Sequence, residues 1–206
     1  MKPQTTDLEQ SILEAAERLF LEKGFAGTST TDIAHAVGCN QALVHYYYRT
    51  KERLFRGIFI NKINLLLDYL DKFEYNGCLM SAIGRVIDFY FALLRSNPRL
   101  PFFVMNELVL NKERREWMRE TFVENEKRRR VYYSFSEIVR KEVEKGTIRP
   151  IEPLFLLLDV VSLVVMTFIT LPIYTDLLGK TEQEVDTYLE ERKKEIFILV
   201  TKGLQP

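Results

Sequence analysis

Apolar residues recur every three or four positions through most of this chain, the spacing that gathers them on one face of a helix. Leu8, Ile12, Ala15, Ala16, Leu19 and Phe20 form the first such stripe. It predicts a helix opened by a Thr6/Glu9 capping box and closed near Lys23 by Gly24. A second helix starts at Ser29, whose hydroxyl and the Asp32 carboxylate each take a free backbone N–H of the first turn, and it buries Ile33, Ala34 and Val37. Gly38 suits the positive φ of a tight exit turn, and Asn40 caps a short third helix over residues 41–48. Val44 and Tyr48, four apart, face inward on it. Gln41, Ala42, Leu43, His45, Tyr46 and Tyr47 are left mostly outside.

The same periodicity continues. Thr50 caps a fourth helix carrying Leu54, Phe55, Ile58, Phe59, Ile63, Leu66, Leu67 and Leu70 as far as residue 73 or 74. After a break at 74–77, a fifth helix spans 79–96 and stops at Asn97-Pro98, and a short apolar helix covers 101–110. Residues 112–145 are strongly charged yet keep an apolar stripe, which predicts one long helix or two broken ones. Gly146 ends that segment, and an extended link leads to Pro153, suited to the first turn of an apolar helix reaching about residue 174. The last helix, 182–204, aligns Val185, Leu189, Ile196, Leu199, Val200 and Leu204. The expectation is an all-α protein: an N-terminal three-helix domain in residues 1–50 and a larger helical domain in 51–206.

Two short helices around a glycine turn have the outline of a helix-turn-helix, whose second helix presents hydrogen-bonding and apolar groups to base edges. Leu43 and the rings of His45, Tyr46 and Tyr47 make poor solvent surface but suit a major groove. A plain helical hairpin shares the outline, so the alternative is a protein-interaction module whose outward aromatics grip a partner. The residues go further. The run GFAGTSTTDIAHAVG followed by VHYYYRTKERLF resembles the tetracycline-repressor (TetR) family: its glycine-aromatic, Thr-Ser, Asp-Ile-Ala and glycine run, then its aromatic triplet, Thr-Lys-Glu and Leu-Phe pair. Beyond Phe55 the likeness is one of helical layout.

That resemblance implies a homodimeric, ligand-responsive transcriptional regulator, most often a repressor, bound to double-stranded palindromic DNA. It places Ser29, Thr31, Tyr46, Tyr47 and Lys51 at phosphates and Gln41, Ala42, Leu43 and His45 at bases. The chemistry agrees, since hydroxyls and a helix N-terminus hold the backbone, Gln can make two bonds to adenine, and Leu meets a thymine methyl. His45, Tyr47 and Thr31 depart from the family's usual Tyr, His and Arg, which bears on the operator sequence. The resemblance also implies a hydrophobic or amphipathic small-molecule effector in the larger domain, with Tyr90, Phe102, Phe103, Trp117, Tyr132, Phe135 and Phe168 as candidate lining.

Composition changes the picture in three places. Lys plus Arg and Asp plus Glu each total 29, so there is no overall basic field. The attraction is local: residues 1–27 hold three basic and five acidic side chains, whereas 28–62 hold five basic and two acidic. Residues 154–174 are long and apolar enough for a membrane span, but Asp159 and Pro172 interrupt them, and a buried or dimer-forming helix is the better reading. Cys39 and Cys78 have neither metal spacing nor a disulfide framework, and residues 1–10 lack the apolar core of a signal peptide, so the cytoplasm is expected. His35 and His45, the two histidines, have no metal-ligating partners nearby in sequence, and no phosphate loop or nucleophile–base pair occurs. No enzyme, cofactor or metal is expected. The basic run Lys127 to Arg130 has acidic neighbours on adjoining turns and reads as a solvated helix face.

Overall fold

The structure, a computed structural model, describes residues 4–71 and 78–206, and their side chains except those of 4–6, 66 and 122–124. Among the described residues there are helices and no strand, so the protein is all-α. Two compact units emerge, one of Met1–Leu66 with Phe103–Asn111, the other of Leu67–Phe102 with Lys112–Pro206.

In the first unit, α1 (Gln4–Lys23) starts before Thr6, so Thr6 lies within the helix rather than at its cap, and its side chain is outside the described residues. The predicted stripe is its inner face, with Ile12, Ala16 and Phe20 all but fully buried. Against it pack α2 (Thr30–Val37), α3 (Gln41–Tyr48) and the start of α4 (Lys51–Asp71), through Ile33, Val44, Leu54 and Phe55. Phe20, Phe25, Phe55, Phe59 and Phe103 form one aromatic cluster with neighbouring centroids 5.1 to 6.4 Å apart. Burying such a ring stabilises by roughly 1.5 to 3 kcal/mol, so this cluster anchors the three-helix head. Phe103 arrives from α6 (Leu100–Val104), which runs straight into a π-helical turn, Met105–Val109. The short apolar helix expected at 101–110 is therefore split in two geometries. From that turn Glu107 accepts from the Phe25 backbone N–H at 3.3 Å.

The second unit is built on α5 (Leu79–Ser96), whose Ala82, Ile83, Val86, Ile87, Phe91 and Leu94 face inward. It packs on α9 (Pro153–Leu178) and α10 (Glu182–Lys202), with Phe91 edge-on to Phe168 at 5.4 Å. The charged stretch is two helices, α7 (Lys112–Glu124) and α8 (Glu126–Glu144), divided at Asn125, whose side chain caps α8 by accepting from Arg128 N–H. The basic run at the start of α8 is spent on α4: Lys127 pairs with Asp68, and Arg130 forks onto Asp71 at 2.9 and 2.6 Å. That guanidinium holds the Asp71 carboxyl below its ordinary range. The expected end of α4 at 73 or 74 lies outside the described residues.

α9 is apolar on all sides but buries only one. Leu156, Val160, Val164 and Phe168 point into the unit, whereas Phe155 (62% exposed), Leu158 (49%), Met166 (54%) and Ile173 (58%) point out. By length and composition alone this helix is able to cross a membrane. On α10, Leu189, Ile196 and Val200 are buried as expected, but Leu199 is 51% exposed, because its position lies between the inward face and the outward one.

Candidate nucleic-acid interface

The capping box of α2 forms as read. Ser29 Oγ accepts from Asp32 N–H at 3.0 Å and donates to Asp32 Oδ2 at 2.6 Å, and Ser29 N–H donates to the same carboxylate at 2.8 Å. These bonds hold the Asp32 carboxyl below its usual value, first through the Ser29 side chain and then its backbone. Gly38 takes φ 74°, so its N–H meets His35 O and that of Cys39 meets Ala34 O, closing α2. Asn40 then accepts from Leu43 N–H at 3.0 Å and opens α3.

Val44, 1% exposed, plugs α3 into the head. Tyr48 is half-buried beside it and donates its hydroxyl to Glu9 O at 3.2 Å; desolvation, with help from the Glu9 charge, pushes its phenol up to about 12. The opposite face carries Gln41, Ala42, His45 and Tyr46 in the open, Tyr46 at 74% exposure, with Leu43 and Tyr47 half-buried. Tyr46 and Tyr47 brace each other edge to face at 5.2 Å. On α2, Ser29 and Thr31 are exposed beside this face, although the Ser29 hydroxyl is already committed to Asp32.

A small network fixes the polar end of α3. His45 Nδ1 lies 3.1 Å from Arg49 O, Gln41 Nε2 lies 3.4 Å from His45 Nε2, and Gln41 Nε2 donates to Thr30 Oγ1 at 2.8 Å. Both ring nitrogens of His45 are thereby occupied, which removes it as a hydrogen-bonding reader of bases in this conformation. Lys51 also departs from expectation. Its ammonium donates to Phe25 O at 2.9 Å and Thr28 O at 2.8 Å and sits over the Phe25 ring, so it ties down the turn between α1 and α2 rather than facing a phosphate.

Three residues that hold the site escaped the sequence reading. Thr28 is buried and donates its hydroxyl toward Leu19 O and Gly24 O. Thr30 receives the Gln41 amide. Arg49 ends α3 with φ 58°, a backbone that side-chain-bearing residues seldom adopt and that no glycine advertises.

The aromatic residues read as effector lining differ in their surroundings. Phe103 belongs to the cluster of the first unit, and Phe168 is packed against Phe91 in the core of the second. Phe102 is 45% exposed, Phe135 is buried, and Tyr90, Trp117 and Tyr132 are half-buried. Burial pushes the Tyr90 phenol up. An open groove of about 400 Å³ between α5 and α10, lined by Gly84, Ile87, Phe197 and Ile198 with Lys193 at its rim, contains none of these residues. Two buried polar atoms of α8, Arg128 Nε and Ser136 Oγ, have no hydrogen-bond partner among the described residues. Among the described residues no three His, Cys, Asp or Glu side chains are gathered as for a metal ion.

A capped helix, a left-handed glycine turn and a second capped helix with an open polar and aromatic face define a DNA-binding helix-turn-helix. Residues 12–58 match the profile of the bacterial regulatory proteins, tetR family. The chain is 29% identical over 153 residues, 71% of its length and 70% of the relative's, to the HTH-type transcriptional regulator YfiR of Bacillus subtilis. It is 35% identical over 63 residues, 31% of its length and 34% of the relative's, to IcaR of Staphylococcus epidermidis, the HTH-type negative transcriptional regulator of the biofilm operon icaADBC. The fold matches a transcriptional regulator from Saccharomonospora viridis crystallised with choline, at a TM-score of 0.71 and 19% identity over 98% of this chain and 99% of that one. Residues 12–58 are thus similar to the DNA-binding region of the tetR family, and both relatives are named as HTH-type transcriptional regulators.

Proposed function

We propose that the protein is a cytoplasmic, homodimeric repressor that binds a palindromic operator and is switched by a small amphipathic effector. The observation that carries the DNA half of this reading is the open face of α3, where Gln41, Ala42, His45 and Tyr46 are exposed to solvent around the buried Val44. In a major groove, Gln41, Ala42 and Leu43 meet base edges while Ser29, Thr31, Tyr46 and Tyr47 lie along phosphates. The negative role named for IcaR favours repression, and homodimerisation suits the outward apolar face of α9, which a second copy would cover with its own α9 and α10 as a four-helix interface.

The effector belongs in residues 51–206, and the unpartnered Arg128 Nε and Ser136 Oγ favour one that carries hydrogen-bond acceptors on an apolar body. α4 begins directly after the DNA-reading helices and continues into the second unit, so it is the segment through which effector and DNA would influence one another. The test is binding of the full chain to duplexes selected from a randomised pool. Enrichment of an inverted repeat, with preference at one base pair of each half-site relaxed in Gln41→Ala, supports the reading. Equal binding of every duplex leaves the protein-interaction alternative.

A further inference from the structure

We propose that Gln41 reads its base pair through Oε1 alone, as an acceptor for the exocyclic amine of adenine or cytosine, and that Thr30 and His45 are the positioning residues that hold its amide in that state. This rests on the reading of α3 as the major-groove helix.

The argument starts at Arg49. Its backbone carbonyl only accepts, and it lies 3.1 Å from His45 Nδ1, so that nitrogen carries the ring proton. In the neutral imidazole Nε2 is then an acceptor, and the atom facing it at 3.4 Å must be the donor end of the Gln41 amide, which fixes the otherwise ambiguous orientation of that side chain. The same Nε2 of Gln41 reaches Thr30 Oγ1 at 2.8 Å. An amide nitrogen has two hydrogens, and both are now spent inside the protein. Oε1 is what remains for DNA. The usual two-bond recognition of adenine needs an N–H for N7 as well as the oxygen for the N6 amine, so it is closed to Gln41 in this arrangement. An acceptor alone is satisfied equally by the adenine N6 amine and the cytosine N4 amine, whereas guanine and thymine turn only acceptors toward it.

The geometry of the helix end sets this chemistry. Arg49, at φ 58° with its N–H on His45 O at 2.9 Å, brings its carbonyl to the imidazole. The carbonyl sets the tautomer, the tautomer sets the amide, and α2 locks it through Thr30. Thr30 and His45 thus shape specificity without touching a base.

The experiment uses the full chain and duplexes from the selected operator, varied through all four bases at the position where Gln41→Ala abolishes preference. Wild type is expected to bind adenine and cytosine within about threefold of each other, and both about fivefold or more above guanine and thymine. Thr30→Val and His45→Phe each free an amide hydrogen for N7 and shift the preference to adenine over cytosine by about fivefold or more, while Thr30→Ser keeps the two bases equal. A wild type that selects adenine alone, or a Thr30→Val protein with an unchanged adenine-to-cytosine ratio, overturns the proposal while leaving α3 as the reading helix. A wild type with no base preference at any position overturns the major-groove reading itself.

Discussion

The ammonium of Lys51 lies 4.2 Å from the centre of the Phe25 ring and donates to that residue's own carbonyl at 2.9 Å. With its further bond to Thr28 O, the side chain joins the first turn of α4 to the connection between α1 and α2. Charge-assisted bonds and a cation over a ring make this a stabilising clamp.

Lys51→Met should therefore lower the stability of the protein by about 1 to 3 kcal/mol, read as a fall in the denaturation midpoint. The slope of DNA affinity against salt should stay the same, because no phosphate contact is removed. A slope shallower by about one, at unchanged stability, would return Lys51 to the phosphates.

The outward face of α9 predicts association. Leu158→Glu or Met166→Glu puts a carboxylate into a surface that a second copy is proposed to cover, and each should yield monomers or aggregates by light scattering. A wild-type monomer at micromolar concentration would remove the four-helix interface.

At the start of α10, Glu184 takes bonds from the Thr181 backbone N–H, the Lys180 ammonium and the Thr181 hydroxyl, which together push its carboxyl down to about 2 from 4.5. The folded value lies below the unfolded one, so its contribution is complete above about pH 4.5 and is lost as the pH falls toward about 2. The difference in thermal midpoint between wild type and Glu184→Gln should be constant above that window and vanish below it.

Arg128 Nε is buried without a partner, an arrangement that costs stability. Arg128→Met should leave the effector-free protein as stable or more stable by about 1 kcal/mol, while weakening any effector that presents an acceptor there. Destabilisation by the same amount would show that the guanidinium is structural.

The sequence disclosed what is local. Ser29 and Asp32, Gly38, and Asn40 cap or turn the chain within a few residues of themselves, so their spacing is their structure. The clamp of Lys51 spans 26 residues to Phe25 and 23 to Thr28, and the support of Gln41 by Thr30 spans 11, so neither has a periodic trace. Arg49 was hidden for another reason, since it takes a positive φ without the glycine that would announce it. In α9 the pattern itself was silent: a helix apolar on every side does not say which side it buries. Ring character is equally silent on place, because it does not tell the core of the first unit, where Phe103 sits, from that of the second, where Phe168 does.

The account stands on α3 entering a major groove, and the most direct measurement of that is the affinity of wild type, Gln41→Ala and Tyr46→Ala for the selected operator and for scrambled duplex, across a series of salt concentrations. Gln41→Ala should lose about 1 to 3 kcal/mol at one base pair per half-site and keep the wild-type salt slope. Tyr46→Ala should weaken operator and scrambled duplex alike, because a backbone contact carries no sequence. If Gln41→Ala instead weakens every duplex equally, or neither substitution changes binding at all, α3 is not the reading helix.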